Sequence, residues 1–145
     1  KEAMFRDIYK ADVKPVPGLI PSLEDLHRHN VLKTISTSAP RSNVDFTLAH
    51  IPIARYFEAI LDEAFVTHGK PDPEIYLKSA AALGVAPQHC VVIEDSLSGV
   101  LAGKAAGCKV VGITTTHTPE ELANTDLVIA DFTALKAADL ERLFQ

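Results

Sequence analysis

Two adjacent carboxylates, Glu94 and Asp95, end the apolar run Cys90-Val91-Val92-Ile93, and a small-residue segment follows from Leu97 to Gly107. An unbroken apolar run suits a strand covered on both faces, as in a parallel sheet. In an open α/β sheet, ligands bind beyond the carboxyl ends of the strands, which is where this pair falls. Two hard oxygen donors there suit Mg2+, which takes one or two carboxylates together with waters and a phosphate. As a helix cap, the same pair would do no more than meet the positive end of a dipole. Two further polar groups occupy comparable places. Thr37-Ser38 follows the stretch Val31 to Ser36, and Lys70 opens the Pro-stiffened loop Lys70-Pro71-Asp72-Pro73. Singly, Thr37 and Ser38 read as turn formers and Lys70 as a solvated loop residue. Together the three groups offer what phosphoryl transfer needs: a hydroxyl and backbone N–H groups for phosphate oxygens, a cation to neutralise them, and carboxylates for Mg2+.

The elements that must position these groups alternate between helix and strand. Lys1 to Tyr9 reads as the end of a helix, and Pro15, Pro17 and Gly18 as a turn or linker. A helix from about Pro21, with Leu23 and Leu26 inward, ends at Asn30, a residue that tolerates the left-handed conformation. Val31 to Ser36 reads as a strand, and Arg41 to His50 as a short helix begun by Pro40. Ala59 to Leu61 makes a short strand after a helical turn through Tyr56 and Phe57. Asp72 is placed to cap a helix from Pro73 to Leu83 that stops at Gly84. The strand at Cys90 and its helix come next, then strands at Lys109 to Gly112 and Leu127 to Ala130. A last helix covers Ala134 to Phe144. Alternation of this kind predicts an α/β fold, a Rossmann-like parallel sheet flanked by helices.

Composition narrows the function. The chain has 145 residues, 47% hydrophobic and 23% charged, which is ordinary globular material for one domain. A net charge of -5 with no Lys/Arg cluster argues against nucleic acid as partner. No apolar run reaches the roughly 18 residues of a membrane span, and no signal peptide is visible. Cys90 and Cys108, in apolar strand-like contexts, suit reduced thiols in a cytoplasmic protein. His27, His29, His50, His89 and His117 show no metal-ligand spacing. His68 lies two residues from Lys70 but reads as a solvated or packing residue, and Arg41 reads equally as a contact to substrate or the Thr37 turn and as an exposed helix residue. Tyr9, Tyr56 and Tyr76 read as packing.

The chain resembles the haloacid dehalogenase-like (HAD) superfamily of phosphohydrolases, in particular its β-phosphoglucomutase-like branch. The resemblance runs from about Pro15 to Asp131. It rests on Pro17-Gly18, on Ile35-Ser36-Thr37-Ser38-Ala39-Pro40-Arg41, on Gly69-Lys70-Pro71-Asp72-Pro73-Glu74-Ile75-Tyr76-Leu77, and on Val91-Val92-Ile93-Glu94-Asp95-Ser96 continued by Gly99-Val100 and Ala105-Ala106-Gly107. It implies that Thr37 is the phosphate-binding hydroxyl, assisted by the backbone N–H of Ser38, and that Lys70 is the phosphate-neutralising lysine. Asp95 is then a Mg2+ ligand, with Glu94 ligating directly or through a water. The implied activity is hydrolysis of a small phosphorylated metabolite, a sugar phosphate or similar. The alternatives are a phosphomutase of the β-phosphoglucomutase type and a non-catalytic domain that binds a phosphorylated ligand or partner.

One departure from that family matters. Its nucleophile lies in an Asp-x-Asp-x-Thr sequence after the first strand, and this chain contains no Asp-x-Asp. Neither Lys70 nor Thr37 is a plausible substitute. Residues 1–14 read as the end of a helical cap and its linker, and residues 15–145 as the C-terminal portion of the core. The chain therefore reads as a fragment, inactive alone, that lacks the central nucleophile-bearing strand and most of the cap. In the family that strand lies between those at Val31 to Ser36 and Cys90 to Glu94. The sequence thus predicts one of two outcomes. A cleaved N-terminal segment or another chain's strand fills the slot, or the flanking strands close up and pair. A buried edge left with unpaired backbone groups would lose about 1–3 kcal/mol per group.

Overall fold

The computed structural model describes residues 14–145. The expected helix at Lys1 to Tyr9 lies outside the described residues, as does nearly all of the proposed cap segment. Helix α1 (Leu19–Arg28) starts just after Gly18, whose φ of 81° brings the chain hard against the backbone of Phe132 and Thr133. It ends where expected, at Asn30 with φ 57°. Its inner face buries Leu23 and Leu26. Strand β1 (Thr34–Ser36) is shorter than the predicted Val31 to Ser36, and helix α2 (Arg41–His50) follows Pro40 as the sequence suggested. A 3-10 turn at Ala54–Tyr56 leads into β2 (Ala59–Leu61), and another at Glu63–Phe65 leads out of it.

Helix α3 (Glu74–Leu83) begins one residue later than predicted. The Asp72 carboxylate accepts the N–H of Glu74 at 2.9 Å, and Gly84 ends the helix in the left-handed region. Strand β3 (Val91–Glu94) is followed by α4 (Leu97–Ala105), β4 (Lys109–Ile113) and β5 (Leu127–Ile129). The terminal helix α5 covers only Ala137–Glu141 before tightening into a 3-10 turn. It starts late because the Lys136 N–H donates to the Asp139 carboxylate at 2.8 Å, a capping arrangement that sets the helix start.

All strand pairing is parallel. β1 pairs β2 with Ile35 opposite Ile60, and β4 lies between β3 and β5, with Val92 opposite Val110 and Gly112 opposite Val128. The α/β parallel architecture is therefore as predicted, but the described strands form two sheets, one of two strands and one of three. Of the two expected outcomes for the central slot, closing up of the flanking strands does not occur among the described residues. β1 and β3 do not close up and pair, and no described strand lies between them. A cleft of about 1220 Å3 separates their facing edges, lined by Ile35 and Ser36 on one side and Val91 to Ile93 on the other. β1 is half-buried throughout, as are Val91 and Ile93, while Val92 and Glu94 are buried.

What holds the two sheets in one body is a shared core. Leu61 of β2, Ile75 and Tyr76 of α3, Val92 of β3, Val100 and Ala102 of α4, and Val110 of β4 pack as one buried cluster. Side chains of this size contribute about 1.5–3 kcal/mol each when fully buried. Polar ties reinforce it. Ser79 on α3 donates to the Ile75 carbonyl and meets the Ser36 hydroxyl of β1 at 2.6 Å. On the other side, buried Asp25 accepts the Ala137 N–H at 2.8 Å and Ser22 donates to the Leu135 carbonyl at 2.9 Å, fastening α1 to α5.

Candidate active site

The carboxyl ends of β1 and β3 carry Thr37-Ser38 and Glu94-Asp95, and Lys70 reaches across from the loop before α3. Thr37, Ser38 and Lys70 line one cavity of about 240 Å3 with Glu63, Val66, Thr67, Gly69 and Ile75. At roughly 30 Å3 per water, that is room for a phosphoryl group with a few waters. The Thr37 N–H continues the β1–β2 ladder by donating to the Leu61 carbonyl at 2.9 Å. Its hydroxyl oxygen accepts the Ala39 N–H at 3.1 Å, which leaves the hydroxyl proton for an oxygen in the cavity.

The loop carrying Lys70 is held from α3. The N–H groups of Thr67 and His68 both donate to the Glu74 carboxylate at 2.9 Å, and these bonds with Lys78 keep Glu74 at a pKa of about 2. His68 itself is solvated, its ring 3.4 Å from Glu74. The Lys70–Pro71 peptide is cis. The Lys70 ammonium donates to Glu94 Oε2 at 2.8 Å, with the two side chains only 10% and 8% exposed.

Glu94 is the most heavily hydrogen-bonded group of the site. Oε2 accepts Lys70 and also the Tyr76 hydroxyl at 2.5 Å. Oε1 accepts the N–H of Asp95, the N–H of Ser96 and the Ser96 hydroxyl at 3.1–3.3 Å. Burial pushes the Glu94 pKa up, but Lys70 and Tyr76 outweigh it and hold the group well below the usual carboxylate range. Tyr76 moves the opposite way, raised by burial and by the Glu94 charge, so it stays a donor. Burial, and then the neighbouring Glu94, raise Asp95. Thr116 steadies Asp95 by presenting its hydroxyl to the carbonyl at 3.1 Å and to Oδ2 at 3.2 Å.

The structure thus brings Thr37, Ser38 and Lys70 to one cavity and links Glu94 to them through Lys70. Asp95 instead faces the adjoining large cleft. For a Mg2+ ion the two carboxylates are unequal. Five donors already occupy the oxygens of Glu94, whereas Asp95 offers a hard oxygen at the cleft, so Asp95 fits a metal and Glu94 fits the lysine. Among the described residues no cluster of three His, Cys, Asp or Glu side chains is placed to hold a metal unaided. Arg41 pairs with Asp45 at 3.0 Å and lies 3.9 Å from Asp62, outside the cavity. Sequence reasoning missed two contributors. Tyr76 was read as packing, although a hydroxyl-bearing residue three places into α3 is the signal that it carries a polar tip. Thr116 had no signal at all, since it reaches Asp95 from a separate loop.

Residues 2–113 match the family pattern of haloacid dehalogenase-like hydrolases. A validoxylamine A 7'-phosphate phosphatase from Streptomyces hygroscopicus subsp. limoneus is 36% identical over 121 residues, 83% of this chain and 57% of that protein. Among solved structures, a HAD hydrolase of family IA, variant 3, from Entamoeba histolytica superposes with a TM-score of 0.91 at 32% identity, over 99% of this chain and 67% of that one. A β-phosphoglucomutase from Clostridium difficile superposes with a TM-score of 0.78, also at 32% identity, over 89% of this chain and 56% of the other. The chain spans little more than half the length of the curated relatives it matches first. With its family pattern matched over most of its length, the chain belongs to the haloacid dehalogenase-like hydrolase family.

Proposed function

We propose that this chain forms the C-terminal part of the core of a Mg2+-dependent phosphohydrolase, cytoplasmic in location. Its substrate is a small phosphorylated metabolite, a sugar phosphate or similar, and nucleic acid and membrane are not its partners. The reaction passes through an aspartyl-phosphate whose aspartate lies outside these 145 residues, on a strand that occupies the cleft between β1 and β3. The observation that carries this reading is the convergence on Lys70: it shares a cavity with Thr37 at the end of one sheet and its ammonium bonds Glu94 at the end of the other. The carboxylate needed to attack phosphorus has no candidate among Lys70, Thr37 and Ser38. A strand in the adjoining cleft, between the edges of β1 and β3, would deliver one, and the lining of that cleft by both strands supports this reading.

In this reading Thr37 donates its hydroxyl proton, Ser38 its N–H and Lys70 its ammonium to the non-bridging phosphate oxygens, holding the phosphorus in line for attack. Asp95, with a carboxylate of the incoming strand, would hold Mg2+, and Glu94 serves through Lys70 or through a metal-bound water. The metal supplies further neutralisation of the phosphoryl oxygens. The likeness to a β-phosphoglucomutase supports a second reading, in which the phosphoryl group passes to another sugar hydroxyl rather than to water. A domain that binds a phosphorylated ligand without turnover is the non-catalytic alternative.

The test is complementation. The chain is assayed for phosphate release from sugar phosphates in Mg2+, alone and with a synthetic apolar peptide ending in Asp-x-Asp. We expect no turnover alone, turnover with the peptide, and loss of it with an Asn-x-Asn peptide or with Lys70→Ala. Asp95→Asn should weaken Mg2+ binding by calorimetry about 100-fold, since a hard cation accepts an amide carbonyl poorly. Sustained turnover by the chain alone would overturn the external nucleophile.

A further inference from the structure

Tyr76 has no part in the chemistry described so far, yet its hydroxyl ends on the most heavily hydrogen-bonded carboxylate of the site. Its ring is buried in the shared core on the first turn of α3, and the hydroxyl donates to Glu94 Oε2 at 2.5 Å. That same oxygen accepts the Lys70 ammonium, which also lies 5.1 Å from the centroid of the Tyr76 ring. The three groups form a closed triangle whose other anchor, Glu94 Oε1, is pinned by Asp95 and Ser96. A packing role needs only the ring, and phenylalanine would supply it. The hydroxyl does something a ring cannot: it removes the freedom of Glu94 Oε2 and so fixes where Lys70 stands.

We propose that Tyr76 is a positioning residue, which by holding Glu94 from the helix side keeps the Lys70 ammonium at the wall of the phosphate cavity. The inference rests on the phosphate-site reading of Lys70 given above. With the hydroxyl gone, Glu94 Oε2 keeps Lys70 as its single donor, so the carboxylate hinges on its Oε1 bonds and Lys70 shifts with the freed oxygen or swings into water. The ring face remains for cation–π attraction, but that contact is non-directional and does not hold a position.

Lysine acetylation by acetic anhydride, quantified by mass spectrometry on the whole chain, tests this without requiring turnover. Exposed Lys104 calibrates reagent strength. Buried Lys33, whose ammonium donates to the Val31 carbonyl at 2.6 Å, reports loosening of the fold. In Tyr76→Phe, Lys70 acetylation should rise about tenfold, the scale of a lost hydrogen bond to a charged group, with Lys33 unchanged. Inorganic phosphate should protect Lys70 in the unsubstituted chain, and in Tyr76→Phe the concentration needed should rise several-fold. Equal Lys70 rates in the two proteins would overturn the proposal, as would Lys33 and Lys70 rising together, which would make the hydroxyl a stabiliser of the fold alone. Absence of phosphate protection in the unsubstituted chain would overturn the phosphate-site reading, and the proposal with it. Protection that is present but identical in Tyr76→Phe would overturn only the role of Tyr76.

Discussion

Replacing Glu94 by Gln tests the centre of the site through stability rather than activity. At 2.8 Å the Lys70–Glu94 attraction is about 6 kcal/mol gross for an effective dielectric near 20, most of it offset by the desolvation of two nearly buried charges. Glu94→Gln removes one charge and leaves the other buried, a loss of about 3–5 kcal/mol. Geometry makes the change worse. Donors surround both oxygens of Glu94, so either amide orientation turns an NH2 toward N–H or O–H groups. In a chain of this size the melting temperature should fall by roughly 6–20 °C. Lys70→Met leaves four donors on Glu94 and should be milder, at about 2–3 kcal/mol. The double variant buries no unpaired charge, so it should be at least about 2 kcal/mol more stable than the sum of the single effects implies. Urea unfolding, with an unchanged m-value as a check on the two-state assumption, supplies all three numbers. A Glu94→Gln loss below about 1 kcal/mol, or additive effects, would refute a coupled buried pair.

Gly99→Ala should be damaging although Gly99 lies in the first turn of α4, where alanine ordinarily gains about 1 kcal/mol. The new Cβ would collide with the Glu94 carboxylate, so Lys70 acetylation should increase and the melting temperature fall; a stabilised variant with Lys70 still protected would refute this. Acid should also weaken the fold. Because Glu94 is held below its ordinary value of 4.5, its stabilisation is present above pH 4.5 and is lost as pH falls through the depressed folded value. Asp95, raised from 3.8, acts in the opposite sense, so Asp95→Asn should steepen the acid loss of stability and Glu94→Gln should flatten it, both read from urea midpoints between pH 6 and 3.

Much of this molecule was legible in the residues themselves. The capping of α3 by Asp72, its stop at Gly84, the left-handed Asn30 and the start of α2 at Pro40 all depend on backbone preferences a few residues long, and all appear close to where they were expected. That Thr37, Ser38, Lys70 and Glu94 would lie near one another was legible for a related reason, since strand ends in a parallel α/β fold face one edge. What spacing could not convey is how those ends divide their labour. Glu94 and Asp95 are chemically alike and adjacent, yet Glu94 is the last residue of β3 and Asp95 the first of the turn beyond it, where the backbone changes direction. One therefore meets Lys70 and Tyr76 in the core while the other faces the cleft and Thr116. The separation of the strands into two sheets was likewise decided in three dimensions. α3 packs against both sheets and buries Leu61 and Val92 in a single core, so apolar burial joins them without backbone pairing between β1 and β3. Hydrophobic burial is non-directional and tolerates such a gap, whereas hydrogen-bonded ladders do not.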